Sequence, residues 1–371
     1  MKNENMEKIR VGIFFGGRST EHEISLLSAF NIIRALDRKK YQIIPIGIDK
    51  QGNFLTYKVT DKWIVNVDDP KKISLGKGGV PVSFVFGRSR ELVELQGKRK
   101  IKIDVAFPVL HGAYGEDGTI QGLFKMADIP FVGCGVLGSA VGMDKDVAKR
   151  LLRDAGLLIA DFVSFAKINR KEIKFANLKK KLGLPFFLKP ANAGSSVGVY
   201  RIEHETNFLQ KVDEAFNYDN KIIFEKAIIG KEIECSVIGN ADPRASLPGI
   251  VIPKDQFYSY QAKYLDEDGA QFEIPAKLSM KSKKKIMDVA IKVYKVLGCE
   301  GLARVDGFLT RDGKFIINEI NTLPGFTAIS MYPKLWEVSG VPYKNLLDQL
   351  ILLALQRQKI DAKLQSSFRV K

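Results

Sequence analysis

Leu302-Ala303-Arg304-Val305-Asp306-Gly307-Phe308-Leu309-Thr310-Arg311-Asp312-Gly313-Lys314-Phe315-Ile316-Ile317-Asn318-Glu319-Ile320-Asn321 reads as two apolar runs around a polar tip. Asp-Gly between strand-like runs is a strong signal for a two-residue hairpin turn, because both central positions need a backbone that glycine and aspartate tolerate. With Asp312 and Gly313 as the turn, Arg311 opposes Lys314, Asp306 opposes Glu319 and Arg304 opposes Asn321. Side chains alternate along a strand, so these last four groups share one face. Two carboxylates set opposite one another repel, and a proton, a cation or a neighbouring guanidinium must relieve them. Asp306, Glu319 and Asn321 present only oxygen, which suits a hard ion such as Mg²⁺ held together with substrate phosphates. The residues alone leave open a salt-bridged hairpin face neutralised by Arg304. Apolar neighbours Phe308, Ile317 and Ile320 weigh against free solvation of the acids and for the cation.

Upstream, Leu184-Pro185-Phe186-Phe187-Leu188-Lys189 ends an apolar strand in a lysine, and Asn192-Ala193-Gly194-Ser195-Ser196-Val197-Gly198 follows. Glycines let backbone N–H groups turn toward an anion, serines add donors, and Lys189 adds a point charge. An ordinary hairpin loop carrying a surface lysine has the same composition. No Walker A pattern is present, and Gly12 to Gly17 lacks the dinucleotide spacing. A nucleotide, if bound, sits on a different scaffold.

The flanking chain alternates apolar strand candidates with helical periodicities. Val11–Phe15, a Gly16-Gly17 break and a helix through Leu26, Phe30 and Ile33 open it; Tyr41–Ile48 and Ile103–Val109 are further strands. This predicts an open, mainly parallel sheet, with residues 76–100 irregular. Asp144 caps a helix whose apolar positions are Val147, Leu151 and Leu152, ending at Gly156. Thr20-Glu21-His22-Glu23 fits a capping box. The 371 residues carry 58 Lys+Arg against 42 Asp+Glu, a formal charge of +16, scattered rather than striped with aromatics, which argues against nucleic acid as the main partner. No apolar run is long enough for a membrane span, Met1 to Arg10 lacks the apolar core of a secretory signal, and three widely spaced cysteines, Cys134, Cys235 and Cys299, argue against a disulfide framework. A reducing cytoplasm fits.

Taken in order, the motifs resemble the D-alanine–D-alanine ligases of the ATP-grasp superfamily. They are Gly16-Gly17-Arg18-Ser19-Thr20-Glu21-His22-Glu23-Ile24-Ser25, His111-Gly112 with Gly115-Glu116-Asp117-Gly118-Thr119-Ile120-Gln121-Gly122, Met143-Asp144-Lys145, Lys189-Pro190, Gly194-Ser195-Ser196-Val197-Gly198, Tyr258 to Tyr264, Arg304-Val305-Asp306 and Asn318-Glu319-Ile320-Asn321-Thr322-Leu323-Pro324-Gly325.

The resemblance implies an α/β (α+β overall) ATP-grasp fold in three domains: 1–133 Rossmann-like and substrate-binding, 134–224 a small lid, 225–371 the large C-terminal unit. It implies ATP-dependent joining of two D-alanine molecules through a D-alanyl phosphate, for peptidoglycan precursors, with D-lactate or D-serine as alternative second substrates. ATP would meet Lys145, Lys189, Glu225, Ala227, Ile228, Glu232 and Lys263, and Asp306, Glu319 and Asn321 would hold Mg²⁺ or Mn²⁺, two ions in all. Glu23, Ser195, Tyr264 and His111 would hold the first D-alanine. Arg304 and the Gly325 N–H would form the oxyanion site, and Ser330 and Met331 would take the second carboxylate. Residues 255–270 would close over the phosphates, and a cytoplasmic homodimer is implied.

Overall fold

A computed structural model describes residues 7–60, 62–69, 71–87, 89–253 and 270–365. Its first unit runs β1 (Ile9–Gly16), α1 (His22–Ala35), β2 (Tyr41–Ile48), β3 (Phe54–Thr56), β4 (Ile64–Val65), β5 (Ser74–Leu75), β6 (Val80–Val85), β7 (Glu91–Glu94), β8 (Lys100–Lys102), β9 (Val105–Val109) and α2 (Thr119–Met126). Seven of these strands form one sheet in the order β8-β7-β6-β3-β2-β1-β9. Only β2, β1 and β9 run parallel; β3, β6, β7 and β8 extend the sheet antiparallel. The expected mainly parallel sheet is therefore half right, and the stretch expected to be irregular holds β6 and β7. Those strands lie toward the edge and are mostly half-buried, so their apolar alternation is weak.

α3 (Val136–Met143) and α4 (Lys145–Asp154) lead to β10 (Phe162–Ala166), α5 (Phe175–Leu182), β11 (Phe186–Pro190), β12 (Tyr200–Ile202), α6 (Phe208–Ala215) and β13 (Lys221–Lys226). The Asp144 carboxylate accepts the Asp146 and Val147 N–H groups at 3.1 Å, as a cap should. The buried face of α4 is only partly the expected one, Leu152 being buried as expected. Ala148, Lys149 and Leu152 face inward, whereas Leu151 is exposed. The four-stranded antiparallel sheet β10-β13-β11-β12 has its own core, from Ile173 to Phe224. Ala148, Leu152 and Leu157 belong instead to the core of the last unit.

That unit contains β14 (Lys231–Gly239), β15 (Arg244–Ala245), β16 (Gly249–Pro253), β17 (Ala270–Glu273), α7 (Met280–Val296), β18 (Gly301–Leu309), β19 (Phe315–Asn321), α8 (Met331–Val338) and α9 (Tyr343–Asp361). Its sheet runs β17-β16-β14-β18-β19, with β15 also on β14. The β18–β19 hairpin departs from expectation at its tip. Leu309 pairs with Phe315, leaving a five-residue connection in which the Thr310 N–H donates to the Lys314 carbonyl at 3.0 Å, with Gly313 at φ +75°. A bulge then adds Asn318 to β19, which restores Asp306 opposite Glu319 and Arg304 opposite Asn321. The turn and the bulge each shift the ladder by one residue, and the shifts cancel.

The first and last units share one apolar core: Phe15, Phe107 and Val109 pack in the same cluster as Tyr332, Trp336 and Leu350. Arg357 on α9 pins them. Its guanidinium donates to the carbonyls of Gly133 and Phe131, both at 2.7 Å, lies 3.2 Å from Glu300 and stacks 4.5 Å above the Phe131 ring. Replacing Arg357 by Met keeps the stem but orphans two carbonyls. We expect about 2–4 kcal/mol of destabilisation, from the cost of unmade buried hydrogen bonds. A lowered urea midpoint at unchanged slope would report it.

Candidate active site

Two cavities meet between the three units. The larger, of about 550 Å³, lies between the four-stranded and six-stranded sheets and is walled by Lys189, Glu225, Ile228, Glu232 and Asn318, among others. The smaller, of about 100 Å³, lies against the first unit and is walled by Glu21, His111, Glu116, Glu234, Arg304, Asn321, Gly325, Ser330 and Met331. Lys145, Ala193, Gly194, Ser195 and Glu319 line both, so they form the passage between them.

In the larger cavity, the Lys189 ammonium donates to Glu225 Oε2 at 2.7 Å and to Asn318 Oδ1 at 3.2 Å. The Asn318 contact depends on the bulge, which the hairpin pattern did not reveal. Behind Glu225, away from the cavity, lies Lys149, 2% exposed and paired with Glu225 Oε1. Burial would push the Glu225 carboxyl up; the charges of Lys149 and then Lys189 outweigh it and hold the group below the ordinary carboxylate range. Lys145 donates to the Ala193 carbonyl at 2.7 Å and stands 3.5 Å from Glu319, tying α4 to the glycine-serine loop and to the hairpin. In that loop Ser195 and Ser196 sit at φ +51° and +61°, a left-handed turn that aims Ser195 toward the first unit.

The smaller cavity corrects one expectation. Glu23 points away from it, 2.7 Å from Lys50 on the far side of α1. Glu21, two residues earlier, is 5% exposed and accepts a hydrogen bond from the Ser195 hydroxyl. Glu21 occupies the N-terminal boundary of α1, and its side chain does not cap the helix. Two positions along a helix start rotate a side chain by about 200°, which separates an inward acid from an outward one.

His111 closes the floor. Its Nδ1 lies 3.1 Å from the Leu323 carbonyl, which can only accept, so Nδ1 carries the proton and Nε2 faces the Ser28 hydroxyl at 3.4 Å. Glu116 Oε1 is 3.9 Å from Nδ1. Burial, and then the Glu21 charge, push the Glu116 carboxyl well above its ordinary range.

On the sheet, Glu234, Asp306 and Glu319 stand abreast on β14, β18 and β19, since Glu234 pairs with Asp306 and Asp306 with Glu319. Arg304 bridges them, donating to Asp306 at 2.8 and 2.6 Å and lying 2.9 Å from Glu234. The arginine of the salt-bridged reading is thus in place, and Asp306 is only 4% exposed. Asp306 sits behind the guanidinium and does not itself line either cavity. Asn321 Oδ1 accepts the Leu323 N–H at 3.0 Å. A Cβ on Gly325 would come within 2.8 Å of Ser330 Oγ, so glycine permits the close turn before α8. Ala227 is not in a cavity wall, while Lys263 and Tyr264, with the loop 255–269, lie outside the described residues. The three cysteines are buried and unpaired in the core, and burial pushes the Cys235 thiol up to about 12, so they pack rather than react.

Residues 10–134 match the family model described as D-ala D-ala ligase N-terminus, and residues 151–352 match that described as D-ala D-ala ligase C-terminus. The chain belongs to the D-alanine–D-alanine ligase family. It is 52% identical over 364 residues to the D-alanine–D-alanine ligase of Oceanobacillus iheyensis, covering 97% of this chain and 99% of that one. It is 49% identical to D-alanine–D-alanine ligase A of Escherichia coli K12, covering 98% and 100%. Among solved structures it resembles the D-alanine–D-alanine ligase of Coxiella burnetii (TM-score 0.83, 38% identity, 96% and 97% covered). It also resembles the D-Ala:D-Ser ligase of Enterococcus faecalis (TM-score 0.82, 35% identity, 94% and 100% covered). The architecture of this D-alanine–D-alanine ligase family member is the ATP-grasp fold. No helix among its described residues is long and apolar enough to cross a membrane.

Of the site groups missed in the sequence, Glu21 and Glu116 lie inside quoted motifs, whereas Glu234 and Lys149 lie outside them. Burial holds the His111 imidazole below its ordinary range, against the opposing pull of Glu21 and the Leu323 carbonyl. The unfolded chain therefore binds that proton first, and stability from this residue falls as pH drops below the unfolded value of about 6.5. Urea unfolding between pH 7.5 and 5.5 should show wild type losing more stability than His111→Gln.

Proposed function

We infer that this chain joins two D-alanine molecules at the expense of ATP, giving D-alanyl-D-alanine, ADP and phosphate for peptidoglycan precursor synthesis. The observation that carries the reading is the passage between the cavities. There, Lys145, Ser195 and Glu319 stand between a roomy slot fit for a nucleotide and a small acid-lined pocket fit for an amino acid. Relatives at about half identity over the full chain are named for the same reaction; the D-Ala:D-Ser enzyme shares 35%.

In this reading the purine lies beside Glu225 and Ile228, the ribose near Glu232, and the phosphates run toward Lys189 and Lys145. Glu21, steadied by Ser195, holds the ammonium of the first D-alanine. Its carboxylate oxygen attacks the γ-phosphorus; the new O–P bond forms as the bond to the β-phosphate oxygen breaks, and ADP leaves. The two lysines offset the charge along that path. The amine of the second D-alanine then attacks the acyl carbon, having lost its proton, and phosphate departs with the old C–O bond. Arg304 and the Gly325 N–H are placed to receive the oxyanion. Ser330 and Met331, at the N-terminus of α8, offer the positive end of a helix to the second carboxylate.

The donors suit a divalent ion in kind, all being able to offer oxygen, although both Asp306 oxygens are turned to Arg304 and would have to leave it. Asp306, Glu319 and Asn321 would hold Mg²⁺ or Mn²⁺, two ions in all, which when bound would neutralise phosphate charge. Glu234 gives Arg304 a second carboxylate partner besides Asp306. Lys263 and Tyr264 we assign to phosphate cover and first-substrate contact on the resemblance alone. The three buried free cysteines support a reducing cytoplasm, and we propose a homodimer on the resemblance. Functionally we divide the chain at 1–133, 134–224 and 225–371, with the four-stranded sheet as the mobile element.

Phosphate release with ATP, Mg²⁺ and D-alanine, with L-alanine and D-lactate as controls and product mass as readout, tests the reaction. D-alanyl-D-alanine with little depsipeptide is expected; a depsipeptide as the main product would overturn the assignment. Glu21→Gln should raise the D-alanine KM by roughly tenfold or more, the weight of a charge-assisted hydrogen bond, whereas Glu23→Gln should stay within about threefold. Arg304→Ala should lower kcat by about 10²–10³, as for loss of an oxyanion donor, with ATP affinity nearly unchanged in a binding titration.

A further inference from the structure

Lys149 is used by none of the steps above, yet it is one of the least exposed charged side chains among the described residues. It follows Lys145 by one helical turn, so both lie on the same side of α4. Lys145 reaches the cavity wall; Lys149 stops short of it and meets Glu225 from behind. Glu225 therefore gives one oxygen to Lys149 and the other, at 2.7 Å, to Lys189. The two lysines differ in freedom. Lys189 lines the cavity and also touches Asn318, so it can turn to an arriving phosphate. Lys149 is walled in and has no such exit.

We propose that Lys149 is a positioning residue for base selection: as the standing counter-ion of Glu225, it releases Lys189 to the phosphates and keeps Glu225 a pure hydrogen-bond acceptor. An ionised carboxylate accepts and cannot donate. It therefore favours a purine with an amino group at position 6 over one with a carbonyl there, because a carbonyl would leave two acceptors facing each other in a buried site. Without Lys149, a Lys189 drawn away to the phosphates leaves Glu225 buried with no cation beside it. Such a carboxylate takes up a proton and becomes a donor, which suits the carbonyl. Burial holds the Lys149 ammonium below its ordinary range against the pull of Glu225, whereas Glu225 raises Lys189 against burial.

This rests on reading the larger cavity as the nucleotide site, and the test separates the two. Binding of ADP and of IDP to the intact chain is measured by calorimetry at pH 6.5, 7.5 and 8.5 for wild type, Lys149→Met and Glu225→Gln. Wild type should prefer ADP by about tenfold or more at every pH, the worth of one buried hydrogen bond. Lys149→Met should bring the two nucleotides within about threefold at pH 6.5, with the ADP preference returning as pH rises and Glu225 ionises. Glu225→Gln should lose the preference at all three values. If Lys149→Met keeps the wild-type preference while Glu225→Gln loses it, the role of Lys149 is overturned and the nucleotide reading stands. If Glu225→Gln also keeps it, the base does not sit at Glu225 and both readings fall. Should the Met variant fail to fold by circular dichroism, Lys149→Gln, which keeps a donor without the charge, is measured in its place with the same expectation.

Discussion

Three carboxylates abreast in a buried sheet are the constraint from which the rest of this site follows. Glu234, Asp306 and Glu319 occupy one row across β14, β18 and β19 because strand pairing leaves them no other place. Their mutual repulsion in a poorly solvated setting demands positive charge, and each cation that answers comes from a different part of the chain. Arg304 comes from the same sheet and Lys145 from α4, while Lys189, from the four-stranded unit, reaches Asn318 beside them. The acids thus tie the hairpin of the last unit to α4. A basic chain with a formal charge of +16 thus concentrates acid at one point, which in the proposed reading is where the negative charge of ATP arrives.

Much of this was legible in the sequence because hairpin registers are arithmetic. Asp-Gly at the tip and alternation along the strands were enough to place Arg304 opposite Asn321 and Asp306 opposite Glu319. The route to that answer was wrong in two places, since the turn is longer than two residues and Asn318 bulges. A bulge leaves no local signature when its residue is polar and its neighbours remain apolar. The resemblance to a ligase family rested on motifs spread from Gly16 to Gly325, and the family and fold agree with it.

What the sequence hid is what depends on direction rather than identity. Glu21 and Glu23 are the same residue type in the same motif, and only the phase of α1 decides which faces Ser195. Lys149 was passed over because a lysine in an amphipathic helix is ordinarily read as solvated; its burial becomes visible only when Glu225, on a strand far along the chain, is set beside it. Glu234 needed a third strand, β14, to fall into line with a hairpin already recognised. The edge strands of the first sheet were missed for a different reason: half-buried strands carry too little contrast between faces to show a period.

The Ser195–Glu21 contact joins a loop of the four-stranded unit to the helix start of the first unit. The first and last units share a core and are pinned by Arg357, whereas the four-stranded unit has a core of its own. That hydrogen bond is therefore a latch: a hinge opening between the two units would unfasten it, and in the proposed reading the carboxylate that greets the guest is the one that locks the door.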